Sequence, residues 1–442
     1  MTFSADWLQA RLSELIQSLP PPNRYLVAFS GGLDSTVLLH ALSQADIPQS
    51  ILALHVDHGL QSESKLWAKH CKSFADSLGI ACDVLQVTPH DPKDYGGIEA
   101  AARAARYGVF KGFMTTSDVT LTAHHRDDQA ETQLFNLVRG AGLIGAAGMR
   151  DSRPHGDGHI VRPLLTVDRS SLHAYALKHN LQWIEDPTNC DTAFDRNFLR
   201  HEVVPLLQSR WPDVSRGLAR SATHLQEANA MLDEIAAGDL QAENRSLDRL
   251  SVSTLKRLSR PRQKNGLRFA IRQLQMPLPT AVQLEHIIDD VVHAGEDRMP
   301  VMQWSGAEIR RYRDTLYLMR ARPDEHLPGG QRVHGNIHLG DNLGRLHFDP
   351  PSGEGLNPAL VEQGLELRFR KGGEEILLKG QQHTKTLKNL LQEAGVVPWM
   401  RDRIPLLFAD DQLVAVADLW LAAHACSSPG MVVRWQHHPP IY

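Results

Sequence analysis

The feature that most constrains this chain is a regular alternation of short apolar runs and helical patterns in the first third of its 442 residues. Apolar runs at 25–29, 51–56, 82–87 and 119–123 predict strands, and the segments between them predict helices, including an alanine-rich one at 98–114. Alternation of this kind favours a parallel sheet covered by helices. The predicted fold class is therefore α/β, with a Rossmann-like parallel sheet and helices on both faces.

The pattern changes after Trp211-Pro212, first to helices and then to short strands, with a hairpin predicted between Gln331 and Phe348. We divide the chain into an α/β domain over 1–215, a mainly helical middle domain over 216–325, a β-containing linker over 326–360 and a small α+β C-terminal domain over 361–442. Ligands of open parallel sheets bind outside the carboxyl ends of the strands. The polar motifs described next all follow predicted strands of the first domain.

Composition narrows the classes of function. The four cysteines, Cys71, Cys82, Cys190 and Cys426, form no CxxC pair, which argues against a disulfide scaffold, a zinc ribbon and a cysteine-held iron–sulfur cluster. No run approaches the ~20 apolar residues that span a bilayer. The N-terminus lacks the basic and apolar regions of a secretory signal. We therefore expect no membrane partner and a cytoplasmic location.

A glycine-rich turn follows the first predicted strand and opens a helix, with the sequence Ser30-Gly31-Gly32-Leu33-Asp34-Ser35. Backbone amides at a helix N-terminus carry partial positive charge and suit phosphate. No Lys-Ser or Lys-Thr follows the glycines, so this is not a Walker A loop. Asp34 beside phosphate calls for a divalent cation between them, and Mg²⁺ fits that chemistry. The structural alternative is a tight strand-to-helix turn with a serine cap.

A second motif joins the strand at 119–123 to a helix and contains three acids, Asp127, Asp128 and Glu131, beside His124 and His125. Spacings of three and four residues place Glu131 on one helical face with the two aspartates. A single acid in the first turn would need no explanation beyond the helix dipole. Three acids with two histidines could instead hold Mg²⁺ or an amine substrate, or help to deprotonate that amine.

Two arginines lie on the alanine-rich helix. Arg103 can form an ion pair with Glu99 one turn earlier, whereas Arg106 has no acid three or four residues away in either direction. A helical arginine without a local partner is the better candidate for a phosphate ligand. We therefore favour Arg106 over Arg103 for contact with a phosphate.

The second half of the chain carries two basic segments. Seven basic residues and no acid lie between Lys256 and Arg272, which fits either a solvated helical face or contact with a polyanion. Further on, Arg370 and Lys371 precede a tryptophan, Trp399, that we expect to be exposed. Basic residues with an exposed aromatic ring could contact an RNA stem.

These motifs resemble those of a known family. The string SGGxDS at 30–35 is similar to the signature of PP-loop ATP pyrophosphatases. The strings IEAxARxxRY at 98–107 and HxxDDxxET at 124–132 resemble the tRNA(Ile)-lysidine synthases, as do RPLL at 162–165, EDPxN at 185–189 and RNxxR at 196–200. A long string at 385–407 resembles the C-terminal domain of that family. The resemblance is dense over the first domain, good in the last one and loose over 240–355.

The resemblance implies a reaction in two steps. ATP adenylates C2 of cytidine 34 in the CAU anticodon of tRNA(Ile) and releases pyrophosphate, and the ε-amine of L-lysine then displaces AMP. The expected cofactors are ATP and Mg²⁺, the expected partners are tRNA(Ile) and L-lysine, and a homodimer is left open. The middle and C-terminal domains are expected to bind tRNA.

The candidate site residues combine the chemistry of the motifs with this resemblance. The expected catalytic residues are Asp34, Arg106, Asp128 and Glu131, with Asp34 and Asp128 also as metal ligands. Residues expected to bind ATP are Ser30, Gly31, Gly32, Leu33, Asp34, Ser35, His55 and His124. Those expected to bind substrate or tRNA are Arg103, Asp127, Arg196, Arg200, Arg370 and Lys371.

Two rival functions belong to other classes. A tRNA thiolase would keep the phosphate turn but use a sulfur nucleophile, and the scattered cysteines argue against it. A non-catalytic module that binds nucleotide and RNA would not need the acidic cluster or Arg106.

Overall fold

The structure is a computed structural model that describes residues 3–57, 59, 63–88, 97–242, 246–295, 298–321, 327, 329–340 and 343–442, without the side chains of 98–100. The chain divides into two compact units, Met1–Leu232 and Asp233–Tyr442. No helix in the described part of the chain has both the length and the apolar character that crossing a membrane requires.

The first unit is built on a six-stranded sheet. Its strands are β1 (Arg24–Ala28), β2 (Ser50–Asp57), β3 (Ala81–Gln86), β4 (Asp118–Leu121), β5 (Ser152–His155) and β6 (Gly158–Val161). They are arranged in the order β3-β2-β1-β4-β6-β5, and only β5 is antiparallel to its neighbour. The predicted α/β class is confirmed.

Helices cover both faces of this sheet. They are α1 (Ala5–Ile16), α2 (Leu33–Ser43), α3 (Ser64–Ser77), α4 (Ile98–Phe113), α5 (Arg126–Val138), α6 (Leu143–Ala146) and α7 (Arg169–Lys178). Successive side chains of β1 point to opposite faces. Tyr25 and Val27 join a core with α1, α2, α3 and α7, whereas Leu26 packs with Leu54 and with Phe110 of α4. The apolar run of β1 is therefore a strand buried on both faces, whereas β3 at the edge of the sheet is largely exposed.

The order of the strands fixes where a ligand can bind. The chain adds β2 and β3 on one side of β1, and then returns through α4 to add β4 on the other side. The strand order thus reverses between β1 and β4, and crevices in open α/β sheets form at such a switch point. The glycine-rich turn follows β1 and the acidic motif follows β4, so both lie at this crevice.

The first unit ends in a series of short helical segments. A 3₁₀ turn (Pro187–Cys190) precedes α8 (Asp195–Phe198), a π-helical turn (Leu199–Val203) and α9 (Val204–Arg210). The long helix α10 (Val214–Leu240) then runs on into the second unit.

The second unit begins with helices on an antiparallel sheet. Its elements are β7 (Arg249–Ser251), α11 (Val252–Arg257), α12 (Arg260–Gln273), α13 (Ala281–His286), a π-helical turn (Ile287–Val292), β8 (Val301–Trp304), β9 (Ala307–Tyr312) and β10 (Thr315–Arg320). The sheet order is β7-β10-β9-β8. Pro261 lies in the first turn of α12, where its missing N–H leaves no bond unmade, so this helix is separate from α11.

The remaining elements surround one further core. They are β11 (Gln331–Val333), β12 (Ile337–His338), β13 (Arg345–Phe348), β14 (Gly355–Leu356), α14 (Pro358–Gln363), β15 (Leu365–Arg368), β16 (Glu375–Ile376), β17 (Lys385–Thr386), α15 (Leu387–Glu393), α16 (Pro398–Arg401), β18 (Leu406–Ala409), β19 (Gln412–Val416), β20 (Trp420–Leu421), a 3₁₀ turn (Ala423–Ala425), β21 (Cys426–Ser427) and β22 (Val433–Gln436).

The pairing of these strands corrects the predicted hairpin in part. Strands β12 and β13 do pair, but β11 pairs with β15, and β13 pairs with the C-terminal strand β22. Val333, Leu346 and Phe348 share their core with residues as distant as Ile441. The segment 326–360, predicted to be a linker, therefore supplies strands and core side chains to the C-terminal part of the second unit.

Candidate active site

A cleft of about 500 Å³ opens at the carboxyl edge of the first sheet. It is bounded by the glycine-rich turn after β1, the end of β2, one face of α4 and the segment after β4. Its polar lining consists of Ser30, Asp34, Ser35, His55, Asp57, Ser64, Arg103, Arg106, Tyr107, Thr122, His124, Asp186, Thr188 and Asn189. The structure therefore brings the turn, both candidate arginines of α4, His55 and His124 to one cavity.

Gly31 explains why the turn needs glycine. Its φ is +82°, in the left-handed region that other residues avoid. A Cβ built there would lie 2.7 Å from Cδ1 of Ile184 and 2.8 Å from Sγ of Cys71. The Gly31 carbonyl also accepts a hydrogen bond of 2.8 Å from the Ile184 amide. The turn is therefore held from behind by packing that leaves no space for a side chain.

The hydroxyl groups of the turn support its shape. Ser30 Oγ and Ser35 Oγ lie 3.0 Å apart, and Ser35 Oγ donates to the Gly32 carbonyl at 3.1 Å. Helix α2 begins at Leu33, which is buried in the core, and its N-cap residue Gly32 provides no side-chain cap. An uncapped helix N-terminus that faces a cleft favours an anion. This arrangement suits the phosphates of a nucleotide.

His125 lies at the centre of the acidic motif, and sequence reasoning missed it. It is the N-cap of α5, only 1 % exposed, with Nε2 3.6 Å from Oδ2 of Asp34 and 3.4 Å from Oδ2 of Asp128. Burial lowers the pKa of His125, but the carboxylates of Asp128, Asp34 and Asp127 outweigh it and raise the pKa to about 9. The imidazolium therefore joins the phosphate turn to the acidic helix. Its position directly before a helix with acids in the first turn was the available signal.

The two carboxylate oxygens of Asp34 have different surroundings. Oδ2 faces His125, while Oδ1 is buried and finds no hydrogen-bond partner among the described groups. A buried acceptor without a donor is uncommon and calls for an explanation. A cation that shares this oxygen with a bound phosphate would supply one.

Arg200 occupies the other side of the acidic motif. Its Nε and Nη2 donate to both oxygens of Glu131, at 2.7 and 2.9 Å, and Nη2 also donates to Oδ1 of Asp128 at 2.8 Å. Burial raises the pKa of Glu131, against the opposing charge of Arg200. Burial acts in the same direction on Asp128, but His125, His124 and Arg200 outweigh it and lower the Asp128 pKa. Arg200, expected to bind substrate or tRNA, here contacts carboxylates.

Asp127 and Arg196 each form a hydrogen bond with a residue that is distant in the sequence. Oδ2 of Asp127 accepts from the Arg169 amide at 3.1 Å, which caps the first turn of α7. Arg196 donates from Nη2 to Oγ1 of Thr132 at 3.3 Å, on the same helix as Glu131. Both residues, predicted to bind substrate, lie beside the acidic motif.

The two histidines predicted to bind ATP lie on the cleft wall in the neutral form. Burial lowers the pKa of His124 to about 3, and its Nδ1 is 2.9 Å from Oγ1 of Thr122. Burial also lowers the pKa of His55, whose Nδ1 is 3.0 Å from the Phe29 carbonyl. Neutral rings can contact a base or ribose without adding charge.

The arginines of α4 differ in their surroundings. Arg106 is exposed and lines the cleft. Arg103 donates to the Tyr107 hydroxyl at 3.2 Å, and its guanidinium lies 4.9 Å from the centre of the Tyr107 ring. The side chain of Glu99, its expected partner, lies outside the described residues.

A second cleft, of about 370 Å³, adjoins the acidic motif from the side of α7 and α9. Glu131 and Arg200 line it, together with Asp127, Asp168, Arg169, Gln208, Asp213 and Arg216. Asp128 and Glu131 do not line the first cleft, which His124 and Asp34 reach. The acidic motif therefore lies between two cavities.

In the second unit, the candidate RNA-binding residues have acidic neighbours. Arg370 donates to Oδ1 of Asp402 at 2.7 Å, and the Lys371 amide donates to Glu374 at 2.5 Å. The prediction that Trp399 is exposed is wrong, because its ring is half-buried, 5.1 Å from the ring of Tyr317 and 5.4 Å from the Arg310 guanidinium.

Acidic side chains also neutralise much of the positive charge of the basic segment 256–272. Four of its seven basic residues, Arg260, Arg262, Lys264 and Arg272, form ion pairs with acids of other helices. These acids are Asp233, Asp239, Glu285 and Asp289, all of them outside the segment. The absence of acids within the segment therefore does not leave this part of α12 without acidic partners.

Two of the four cysteines, Cys71 and Cys82, do not offer a thiolate. Burial raises the pKa of Cys71 to about 12 and that of Cys82 to about 11. Cys71 lies directly behind the turn at Gly31 but is fully buried. A thiol with so high a pKa is not a nucleophile at neutral pH.

Family models match three parts of the chain. The model described as the PP-loop domain matches residues 5–207. The model described as the TilS substrate binding domain matches residues 250–317, and the TilS substrate C-terminal domain matches residues 365–435.

Curated relatives match the chain over nearly its whole length. A tRNA(Ile)-lysidine synthase of Alkalilimnicola ehrlichii is 41 % identical over 97 % of both chains. A protein of the same name from Coxiella burnetii is 39 % identical over 92 % of this chain and 91 % of its own. One from Pseudomonas aeruginosa is 41 % identical over 92 % of this chain and 93 % of its own.

Proposed function

The chain belongs to the tRNA(Ile)-lysidine synthase family, and from that premise we propose how its residues divide between the two steps of the reaction. The chain is an ATP-dependent ligase that modifies a tRNA and forms lysidine in tRNA(Ile). The finer proposal is that it adenylates C2 of cytidine 34 in a CAU anticodon and then joins L-lysine to that carbon.

In the first step, the turn of residues 30–35 holds the phosphates of ATP. The uncapped N-terminus of α2 supplies the backbone N–H donors, and the hydroxyls of Ser30 and Ser35 hold the turn in shape. Arg106 faces the same cleft and balances the charge that develops as pyrophosphate leaves. His55 and His124 contact the nucleoside, because neutral rings are suited to an uncharged base.

Mg²⁺ fits Asp34 better than Asp128. Asp34 lines the cleft beside the phosphate turn and its buried Oδ1 has no described hydrogen-bond partner, whereas Asp128 has one oxygen on Arg200 and the other near His125. The described residues contain no group of three side chains that could enclose a metal on their own. Mg²⁺ usually takes one or two carboxylates together with substrate phosphates. It would therefore be held by Asp34 and ATP, where it would neutralise phosphate charge.

In the second step, Glu131 and Asp128 receive the amine. The ε-amine of lysine must lose its proton before it can attack, and a carboxylate with a raised pKa is a better base than an ordinary one. Glu131 has that property through burial. The second cleft, which Glu131 and Arg200 line, gives the amine a route to the acidic motif separate from that of ATP.

The tRNA contacts are assigned by position. Arg103 lines the first cleft, Asp127 and Arg200 line the second, and Arg196 contacts Thr132 on the helix of Glu131. Arg370 and Lys371 belong to the C-terminal part of the second unit. We assign catalysis to the domain over 1–215 and tRNA binding to 216–325 and 361–442. A cytoplasmic location completes the proposal, which leaves a homodimer open.

The observation that carries this proposal is the contact of His125 with both Asp34 of the phosphate turn and Asp128 of the acidic motif. That contact supports the assignment of ATP activation and amine binding to one site. The test incubates the purified protein with ATP, labelled lysine and tRNA(Ile) transcripts that carry a CAU or a GAU anticodon. Digestion and mass spectrometry should then show cytidine that has gained one lysine residue, only with the CAU transcript.

Half-reactions separate the roles of the acids. Glu131→Ala should spare the exchange of pyrophosphate into ATP more than the transfer of lysine, since Glu131 acts on the amine. Equal loss of both half-reactions would contradict this assignment. Incorporation of labelled sulfide would favour the thiolase alternative, and absence of pyrophosphate release with all substrates present would favour a non-catalytic binding module.

A further inference from the structure

A cluster of arginines surrounds Tyr107 beside the main cleft. The guanidinium groups of Arg103 and Arg153 lie 4.9 and 5.1 Å from the centre of the Tyr107 ring. Arg162, which is 3 % exposed, lies near enough to Tyr107 for its charge to lower the pKa of the phenol against the effect of burial, and it donates from Nη1 to the Arg150 carbonyl at 2.8 Å. Three guanidinium groups thus lie around one phenol.

The topology explains why these residues meet. Arg162 directly follows β6, at the same carboxyl edge of the sheet as the turn after β1 and His124 after β4. Arg153 lies on β5, which pairs with β6, and Arg103 reaches the same place from α4. Arg103 and Tyr107 also line the main cleft, so the cluster adjoins the position proposed for ATP.

The described part of the chain offers this cluster no carboxylate. No ion pair of Arg153 or Arg162 with a described acid exists, and Nε of Arg162 is buried without a hydrogen-bond partner. The nearby Asp151 is paired with Arg11 instead. Two neighbouring histidines respond to the excess charge, since Arg162 contributes, after burial, to lowering the pKa of both His124 and His155. Like charges gathered away from water are costly unless an anion offsets them.

We propose that Arg103, Arg153 and Arg162, grouped around Tyr107, form a subsite for a phosphate group separate from the turn of residues 30–35. Arg103 and Arg153 are partly exposed and provide the N–H donors, and a planar guanidinium pairs well with phosphate oxygens. Arg162 is too buried to contact the phosphate directly, so its role is to hold the Tyr107 phenol in place and to add positive charge. The phosphate belongs either to a nucleotide or pyrophosphate, or to the RNA backbone next to the modified base. This inference rests on the proposed function, because both sources of phosphate are substrates or products of that reaction.

The test compares Arg153→Gln with Arg150→Gln. Arg150 is exposed and lies just before β5, so its variant removes an equal charge outside the cluster, and its backbone carbonyl still accepts from Arg162. For each variant, calorimetry gives the Kd of ATP and of pyrophosphate, and filter binding at several salt concentrations gives the Kd of tRNA. Thermal unfolding confirms that both variants are folded, and Arg153→Lys shows whether the guanidinium fork is needed.

The outcomes identify the source. If the subsite binds the RNA backbone, Arg153→Gln should weaken tRNA binding by about tenfold and reduce the slope of log K against log salt by about 1, with the Kd of ATP unchanged. If it binds nucleotide or product, the Kd of ATP or pyrophosphate should rise by about tenfold and that of tRNA should not. Binding is measured without turnover, so these results stand apart from any failure to form lysidine.

Two results would overturn the proposal. The first is an Arg153→Gln variant that binds ATP, pyrophosphate and tRNA as the Arg150→Gln variant does. The second is a Tyr107 phenolate at neutral pH, because the cluster would then be neutralised from within. The phenolate absorbance that Tyr107→Phe removes from the wild-type spectrum measures this directly.

Discussion

Substitution of Gly31 by alanine tests the claim that packing from behind fixes the phosphate turn. Gly31 has a φ of +82°, and the left-handed conformation costs an L-residue about 1–2 kcal/mol. The new methyl group would also lie 2.7 Å from Ile184 Cδ1 and 2.8 Å from Cys71 Sγ. Overpacking of a filled core costs about 1–3 kcal/mol. We therefore expect Gly31→Ala to lower the free energy of unfolding by about 2–5 kcal/mol.

Gly32 provides a matched control for stability. Its φ is −73°, and a Cβ there would have its nearest neighbours at 3.6 and 4.0 Å, which are ordinary contacts. Gly32→Ala should therefore be neutral in stability or gain up to about 1 kcal/mol through the unfolded chain. Urea unfolding followed by circular dichroism measures both variants. ATP-dependent AMP formation by Gly31→Ala should fall by about 100-fold, since a shift of 1 Å in a positioning loop has that effect.

A double variant separates the two causes. Cys71→Ala removes Sγ and relieves one of the two close contacts, but it leaves the backbone conformation unchanged. We expect Cys71→Ala to restore part of the stability lost in Gly31→Ala, and never all of it. Equal stability of Gly31→Ala and Gly32→Ala would refute the reasoning, because the turn would then have room to move.

Three further predictions concern other parts of the chain. Asp34→Asn should abolish AMP formation, assayed with labelled ATP, and leave tRNA affinity within about twofold by filter binding; loss of tRNA binding would contradict its role at the phosphates. Burial and His179 lower the pKa of His40 in the folded protein, so the unfolded chain takes up more protons and stability falls as the pH drops through about 6.5. Thermal unfolding across pH should show a shallower loss in His40→Gln, and equal slopes would count against this. Arg268 is exposed and forms no ion pair among the described residues, whereas Arg260 is paired with Glu285 and Asp289. Arg268→Gln should therefore reduce the slope of log K for tRNA binding against log salt by about 1, and Arg260→Gln should leave that slope unchanged. A reduced slope in Arg260→Gln alone would show that ion pairing does not decide which arginine contacts RNA.

The strands and helices of the first unit could be predicted because their signals are local. The apolar run at 25–29 corresponds to β1 at Arg24–Ala28, and the alanine-rich segment at 98–114 corresponds to α4 at Ile98–Phe113. Burial on both faces makes such strands continuous apolar runs, and glycine marks the turns between them. Since the chain order of strands and motifs is known, the switch point follows from the fold class.

The charge pairs of the second unit could not be predicted in this way. Arg260 and its partner Glu285 are 25 residues apart, and Arg272 and Asp233 are 39 apart. A sequence window that contains no acid says nothing about acids on a neighbouring helix. The same limit affected the hairpin, because the register of β13 with β22 joins residues almost ninety positions apart, such as His347 and Arg434.

The candidate site shows the same division between residue type and residue role. The sequence placed Asp128 among both the metal ligands and the catalytic acids, since a carboxylate near a phosphate turn suits either. In the structure, one oxygen of Asp128 accepts from Arg200 and the other lies at His125 and its amide, whereas Asp34 retains a buried oxygen with no described partner. Spacing along a helix shows which side chains share a face. It does not show which carboxylate oxygens are already bonded to residues that are distant in the sequence. Because both oxygens of Asp128 already face Arg200 or His125, a cation that binds Asp128 would have to displace one of these residues. A cation that binds Oδ1 of Asp34 would displace no described partner.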